Sequence, residues 1–295
     1  MRILLGNTGR GGEQCFFTAI VHMYRTLKPD AFIRVASPPH YESLWARNKD
    51  IDDWADIKYE PNDKWPMDPI NAYREYMQEQ KDNFDIIEYA SECVLQASNT
   101  DARKSTLFLC WLNIKQKLFD FDHIIRKVHI DPTKEDVEKA QTIAKDNPNI
   151  ILLSHGANSM VHFLTTEAWG VLAKELLPYG TPCFVATSGG NHMPADPDIP
   201  NAVSLRDIGY GALFELRKHI RLFIGMETAP STIVSESDAP MVILRGDSRF
   251  PAQSTSLIVN GFRDQKNTYE LDVAQCREDA IIQKVMTIVK DNFNG

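Results

Sequence analysis

Residues 222–236 read LFIGMETAPSTIVSE and carry the densest chemical signal in the chain. An apolar run ends at Gly225, Glu227 and Thr228 follow, and Pro230 then opens a helix after Ala229. Proline suits the first helical turn, because the amide it lacks has no partner there and its fixed φ is already helical. The pattern predicts a strand, a tight turn and a helix N-terminus, with Ser231 completing the first turn. Free amides and the positive end of the helix dipole attract phosphate at such a terminus. The implied chemistry is retention of the diphosphate of an activated small molecule, with Glu227 and Thr228 at the lip of the site.

A second glycine-bearing turn lies near the N-terminus. Gly6, Gly9 and Gly12 follow a first strand in the manner of a dinucleotide-binding glycine loop, so a nicotinamide-dependent dehydrogenase has to be tested. That reading needs an acidic residue closing the second strand, which instead ends Ala36-Ser37-Pro38-Pro39. It also asks for a Tyr-x-x-x-Lys pair far downstream, and the one such pair, Tyr24 and Lys28, falls inside the first helix. The other reading takes Gly11 and Gly12 as a turn that brings backbone close to substrate, with Glu13 at the start of the first helix. A carboxylate there is kept ionised by the dipole and can accept a proton from a hydroxyl. The same residue could also do no more than complement the dipole.

At 295 residues the chain is long enough for two cores of ordinary size. A net charge of -8 argues against non-specific binding of polyanions, although Arg103, Lys104, Lys115, Lys117, Arg126 and Lys127 give one stretch a basic tint. Cys15, Cys93, Cys110, Cys183 and Cys276 are scattered and odd in number, a pattern of reduced thiols and a cytoplasmic setting. The N-terminal MRILLGNTGRGG is too short in apolar residues for a signal peptide and reads as a strand. No apolar run approaches the length of a membrane span. His155 and His192 have no second ligand at helical or hairpin spacing, so no metal is expected.

Strands and helices alternate along the chain. Strands are expected over 2–6, 31–36, weakly over 57–59, and over 85–89, with helices over 13–27, 69–81 and 105–121. The last of these helices carries the apolar run 107–112, read as core in preference to a lipid contact. A change of texture near residue 130 marks a domain boundary, followed by a charged helix. Strands over 150–154, 182–187, 222–225, 241–244 and 256–259 then alternate with helices over 165–177, 210–219 and 230–237, and a last helix covers 277–292. This alternation predicts an α/β protein of two Rossmann-like domains with parallel sheets. Ligands in such sheets bind beyond the carboxyl ends of strands, where Gly6–Gly12, Ser154–Asn158, Ser188–Asn191, Glu227–Ser231 and Arg245–Ser248 all fall.

These segments resemble glycosyltransferase family 9, the ADP-heptose:lipopolysaccharide heptosyltransferases, whose fold is the two-domain GT-B architecture. Gly12-Glu13 followed by QCFFTAIVHMYRTLKP is similar to the family's N-terminal Gly-Asp loop and helix. LLSHGANSMVHFLTTEAW resembles the strand and loop opening the second domain, with His162 near the family's lysine. Gly225-Met226-Glu227-Thr228-Ala229-Pro230-Ser231-Thr232 resembles Gly-x-Asp-Thr-Gly-Pro-x-His, and PMVILRGDSRFP the strand and loop beyond it. Both motif aspartates are glutamates here, the motif glycine is Ala229 and the motif histidine Thr232.

The resemblance implies two Rossmann-like domains facing a cleft: an acceptor-side domain over 1–130, a nucleotide-sugar domain over 131–275, and a C-terminal helix over 276–295, of the kind that often crosses back to the first domain in GT-B proteins. It implies inverting, metal-independent transfer from a nucleotide-diphosphate sugar, with no other cofactor. Glu13 would be the base, with Gly11 and Gly12 on the acceptor side, and Glu227 would hold sugar hydroxyls. Ser154, His155, Gly156, Ser188, Gly189 and Gly190 would line the nucleotide pocket. Asn158, His162 and the turn Thr228, Ala229, Pro230 and Ser231 would meet the diphosphate. The acceptor would be a bacterial surface glycan or a modified nucleic-acid base. A nucleotide-sugar epimerase or hydrolase, and a non-catalytic nucleotide-binding module, remain as alternatives on the same fold.

Overall fold

The computed structural model describes residues 1–7, 11–57, 67–89, 128–156, 164–186, 195–226, 228–245, 267–273 and 275–293, with backbone alone at 13, 67–71 and 89. The chain divides into two compact units, Met1–Asp131 and Pro132–Gly295.

In the first unit four strands, β1 (Arg2–Gly6), β2 (Phe32–Ser37), β3 (Asp53–Asp56) and β4 (Ile86–Tyr89), form a parallel sheet in the order β3-β2-β1-β4. Ile3, Leu4 and Leu5 are fully buried, as expected of a central parallel strand covered on both faces. Helix α1 (Gly11–Leu27) buries Phe16, Phe17, Ile20, Met23 and Tyr24, the face its periodicity predicts. Two short elements, a 3-10 turn (Pro39–Tyr41) and α2 (Glu42–Trp45), anchor Tyr41, Leu44 and Trp45 in the core. Helix α3 (Met67–Glu79) packs Tyr73 and Met77 against Leu4, Ala36, Ile57 and Phe84.

The second unit has six parallel strands: β5 (Ile150–Ser154), β6 (Thr181–Val185), β7 (Val203–Leu205), β8 (Ile220–Gly225), β9 (Met241–Arg245) and β10 (Thr268–Asp272). Their order is β10-β9-β8-β5-β6-β7. Its helices are α4 (Lys134–Asp146), α5 (Thr166–Leu176), α6 (Tyr210–Leu216), α7 (Ala229–Val234) and α8 (Glu278–Phe293). One core joins Ile151, Leu153, Leu222, Ile224, Val242 and Leu244 to Trp169, Leu172 and Leu176 of α5 and to Ile281, Val285 and Val289 of α8. The alternating residues Leu152, Phe223 and Ile243 are equally buried, so both faces of the sheet are covered. Among the described residues no helix is long and apolar enough to cross a membrane.

The C-terminal helix packs its apolar face against α5 in the core of the second unit. Elsewhere several elements differ from the sequence expectation. Helix α1 starts at Gly11, so Gly11 and Gly12 are its first helical residues and not a turn before it. Strand β3 precedes the stretch expected for it, and β7, three residues long, was not expected at all. The expected helix over 105–121 and strand over 256–259 lie outside the described residues, as does the basic stretch from Arg103 to Lys127. Among the described residues, β10 lies at one edge of the second sheet.

The two helices α4 and α6 meet at Gly211, against which the Asp136 carboxylate lies. Thr133 Oγ1 accepts from the Asp136 amide at 3.1 Å and Asp136 Oδ2 accepts from the Thr133 amide at 2.9 Å, a reciprocal cap at the start of α4. A Cβ on Gly211 would lie 2.3 Å from Asp136 Oδ2. Gly211→Ala therefore lowers stability by about 1–3 kcal/mol in urea unfolding, and Thr133→Ala by ~1 kcal/mol. The double variant loses less than the sum, because both changes disturb the same carboxylate. Additive losses would show that Asp136 does not couple them.

Candidate functional site

The second sheet winds outward in both directions from the neighbouring pair β5 and β8, which makes the space beyond their carboxyl ends the topological switch point where ligands bind in sheets of this kind. Strand β5 ends in Ser154 and β8 in Gly225, paired with each other in register. A Cβ on Gly225 would come within 2.7 Å of both Cβ and the carbonyl oxygen of Ser154. Only glycine permits this approach, since the obstructing atoms include backbone that cannot swing aside. The approach in turn lets the Ser154 and Thr228 hydroxyls bond at 2.8 Å across the strand ends.

The turn into α7 is held by its own polar groups. The Thr228 amide donates to Ser231 Oγ at 2.8 Å, and the Ser231 hydroxyl donates to the Thr228 carbonyl at 2.7 Å. The Thr232 hydroxyl donates to the same carbonyl at 3.1 Å. Ala229, Pro230, Ser231 and Thr232 are buried. The Ser231 side chain thus shapes the turn and is turned inward. Of the first amides here, that of Thr228 is engaged and Pro230 has none, which leaves the Ala229 amide without an intrahelical acceptor.

His155, next after β5, is fully buried between the edges of Trp169 and Phe184, with ring centroids 6.3 and 5.2 Å away. Its Nε2 lies 3.1 Å from Asp196 Oδ1. The same carboxylate accepts from Arg206 Nε at 2.9 Å and from the Ser204 hydroxyl at 2.5 Å. Burial would raise the Asp196 pKa, but the bonds from His155, Ser204 and Arg206 outweigh it and hold the carboxyl below its ordinary range. His155 therefore braces the segment after β6 against the end of β5. Gly156 is buried beside it.

In the first unit the corresponding strand end is Gly6-Asn7, beside β4. The Asn7 carbonyl accepts from Gln14 Nε2 at 2.8 Å and from the Tyr73 hydroxyl at 3.2 Å. Trp45 Nε1 in turn donates to Gln14 Oε1 at 3.0 Å. This buried chain fixes the start of α1, whose third residue is Glu13. A carboxylate in a first helical turn is favoured by the dipole. The Glu13 side chain, Asn158, His162, Ser188, Gly189, Gly190, His192 and Glu227 lie outside the described residues.

Sequence reasoning missed Asp196, which is 41 positions from His155 and obeys no spacing rule. It also missed a trio in the first unit. His22 Nδ1 lies 2.9 Å from Asp50 Oδ2, and His129 Nδ1 contacts the same oxygen. Separations of 28 and 79 residues carry no periodic signal.

The Asp196 hub makes a prediction. Its ionised form contributes stability that is present above the ordinary carboxylate pKa, about 4, and lost as pH falls through the lowered folded value. Asp196→Asn should cost about 1–3 kcal/mol at pH 7, by leaving His155 and Arg206 short of an acceptor. The deficit should shrink below about pH 4. A deficit that stays constant from neutral pH down to pH 3 would remove Asp196 as the charged centre of this cluster.

No family model matches the sequence, and neither does any curated protein. Solved structures do match. A glycosyl transferase family 9 protein from Veillonella parvula superposes with a TM-score of 0.68 at 13% identity, over 99% of this chain and 97% of that one. The E. coli ADP-heptose LPS heptosyltransferase II gives 0.65 at 11% identity, over 99% of both chains. E. coli heptosyltransferase WaaC with ADP gives 0.59 at 12% identity, over 97% of this chain and 99% of that one. The two parallel α/β units described above thus have the GT-B fold of these glycosyltransferases, and the resemblance to family 9 extends over nearly the whole chain.

Proposed function

We propose that the chain is a glycosyltransferase that moves a sugar from a nucleoside-diphosphate donor to an acceptor hydroxyl, inverting the anomeric centre and using no metal in the transfer step. The observation that carries this reading is the β5/β8 switch point, where Gly225, Ser154 and Thr228 converge at the strand ends. Charge that builds on a departing diphosphate needs preorganised donors. The Ala229 amide supplies one in this reading, the Thr228 hydroxyl a second when Ser154 is the donor of their shared bond, and Asn158 and His162 supply others from the loop after β5.

Ser154, His155 and Ser231 are assigned to holding this frame and not to contacting the nucleotide, because their side chains bond to neighbours within it. Nucleotide contacts then fall to Gly156 and to Ser188, Gly189 and Gly190. Glu227 is assigned the sugar hydroxyls. Glu13, in the first turn of α1 beside Gly11 and Gly12, is assigned the proton of the acceptor hydroxyl. The acceptor is a bacterial surface glycan or a modified nucleic-acid base, and the setting is cytoplasmic.

Thermal unfolding in the presence of nucleoside diphosphates tests the donor half of this reading. A matching diphosphate should raise the midpoint. Gly225→Ala, which forces the strand ends apart, should lose that gain while still unfolding cooperatively. Turnover with the matching nucleotide sugar tests the other half. Glu13→Gln should lower kcat by about 10²–10⁴-fold, the usual contribution of a general base, and keep the nucleotide-induced shift. If Glu13→Gln turns over normally, Glu13 is not the base. If no nucleoside diphosphate stabilises the protein, the transferase reading falls, and stabilisation by NAD would restore the dehydrogenase.

A further inference from the structure

We infer that His22, Asp50 and His129 form a binding site for one divalent transition-metal ion, with zinc the best-matched occupant. The site lies in the first unit and is independent of the transfer chemistry proposed above. Its three ligating atoms, His22 Nδ1, His129 Nδ1 and Asp50 Oδ2, lie within 4.8 Å of one another. The two imidazole rings are tilted by 43° to each other, with centroids 4.1 Å apart. Ligands held by one zinc ion at about 2.0–2.2 Å are separated by roughly 2.9–3.4 Å at right-angled to tetrahedral geometry. The His22–Asp50 separation of 2.9 Å already falls in that window. Two imidazole nitrogens and a carboxylate oxygen suit zinc, and also nickel, copper or iron, more than magnesium or calcium.

The three ligands come from three separate elements, each independently fixed. His22 belongs to α1. Asp50 is buried in the turn before β3, where its amide donates to Asn48 Oδ1 at 2.9 Å. The His129 amide donates to Thr18 Oγ1 at 2.9 Å. On the far side, the Lys49 amide donates to Asp131 Oδ2 at 2.9 Å. Preorganisation of this kind is what holds a metal site together before the metal arrives.

Arg25 is the cation that would otherwise claim Asp50, and it is engaged elsewhere. Its Nε donates to the Asp50 carbonyl at 3.0 Å, its Nη1 to the carbonyls of Pro29 and Ala31, and its Nη2 to Asp52 Oδ2 at 2.7 Å. The carboxylate is left to the two histidines. Both rings are about one-third exposed, at 32% and 35%, which leaves water room to complete the coordination shell.

His22 follows Glu13 by nine residues, about 14 Å of helical rise, so the ion is a clamp and not part of the acid–base chemistry. It would tie the segment that ends the first unit to the body of α1.

A hydrogen-bonded trio and a metal site differ in where the ring proton sits. In the trio each histidine carries its proton on Nδ1, facing Asp50. In the metal site Nδ1 binds the ion and the proton moves to Nε2. The experiment uses the full chain, stripped with chelator and titrated with zinc, and with cobalt followed by its visible absorption. One zinc per chain should bind, raise the unfolding midpoint, and shift the His22 and His129 tautomers from Nδ1–H to Nε2–H in long-range proton–nitrogen correlation spectra. The pair His22→Gln with His129→Gln should weaken zinc binding by more than the 10–100-fold that loss of an outer-shell partner causes. Asp50→Asn, nearly isosteric, provides the same test if the double variant fails to fold, and His40→Gln should bind as the parent does. The inference is overturned if the parent binds no zinc at about 100 μM, a generous concentration for a three-ligand site. It is equally overturned if the variants bind zinc as well as the parent, or if both rings keep the proton on Nδ1 at saturating zinc.

Discussion

The contact between Gly225 and Ser154 is the constraint on which the second unit's site depends. Parallel strands stand at a nearly fixed spacing, so whatever sits at their ends is set by the side chains of the last residues. At the β5/β8 pair one of those residues has no side chain, and the backbone of Ser154 occupies the space a Cβ would need. The strand ends therefore close on each other, and the turn into α7 begins beside Ser154. The reach of the Thr228 hydroxyl to Ser154 follows from that closure.

The polar residues around this point are mostly spent on the frame. Ser154, His155, Ser231 and Thr232 are all buried. A buried polar group without a partner is costly, so each is bonded to a neighbour, and the bonds among them fix the turn. The first unit repeats the arrangement with Asn7, Gln14, Tyr73 and Trp45 behind the start of α1. In both units the strand end is a rigid mount, and the residues left to meet a ligand are those on the loops it carries. That division is expected where binding groups need fixed positions but the chain must still admit a substrate.

How much of this was legible in the sequence follows from the same physics. Central strands such as β1, β5 and β8 are buried on both faces and read as continuous apolar runs, which identifies them without knowing their neighbours. The amphipathic faces of α1 and α8 were equally readable, and Thr165 could be named as the cap of α5 from its position alone; its Oγ1 accepts from the Ala168 amide at 3.2 Å. Edge and short elements were not. Strand β7 has three residues and a half-exposed pattern, β3 is polar at both ends, and α2 is a single turn. Their existence is decided by the sheet or core they join. The destination of α8 was also hidden, because an apolar face specifies that a helix packs but not against which core. At the site, the local motif gave Thr228 and Pro230. It could not give the Asp196 partner of His155, or the convergence of His22 and His129 on Asp50, since those depend on how distant segments return to one place.

The departures from the family-9 motif acquire a physical sense in the same turn. Thr232 stands where the motif has histidine, and its hydroxyl is folded back onto the Thr228 carbonyl, buried with the rest of α7. Ala229 stands where the motif has glycine and is also buried. A histidine at 232 could not occupy that buried space without displacing its neighbours, so the turn is filled by small residues. A fold shared over nearly the full chain at 11–13% identity is consistent with that arrangement. The frame at the switch point is kept by backbone geometry and a few hydroxyls.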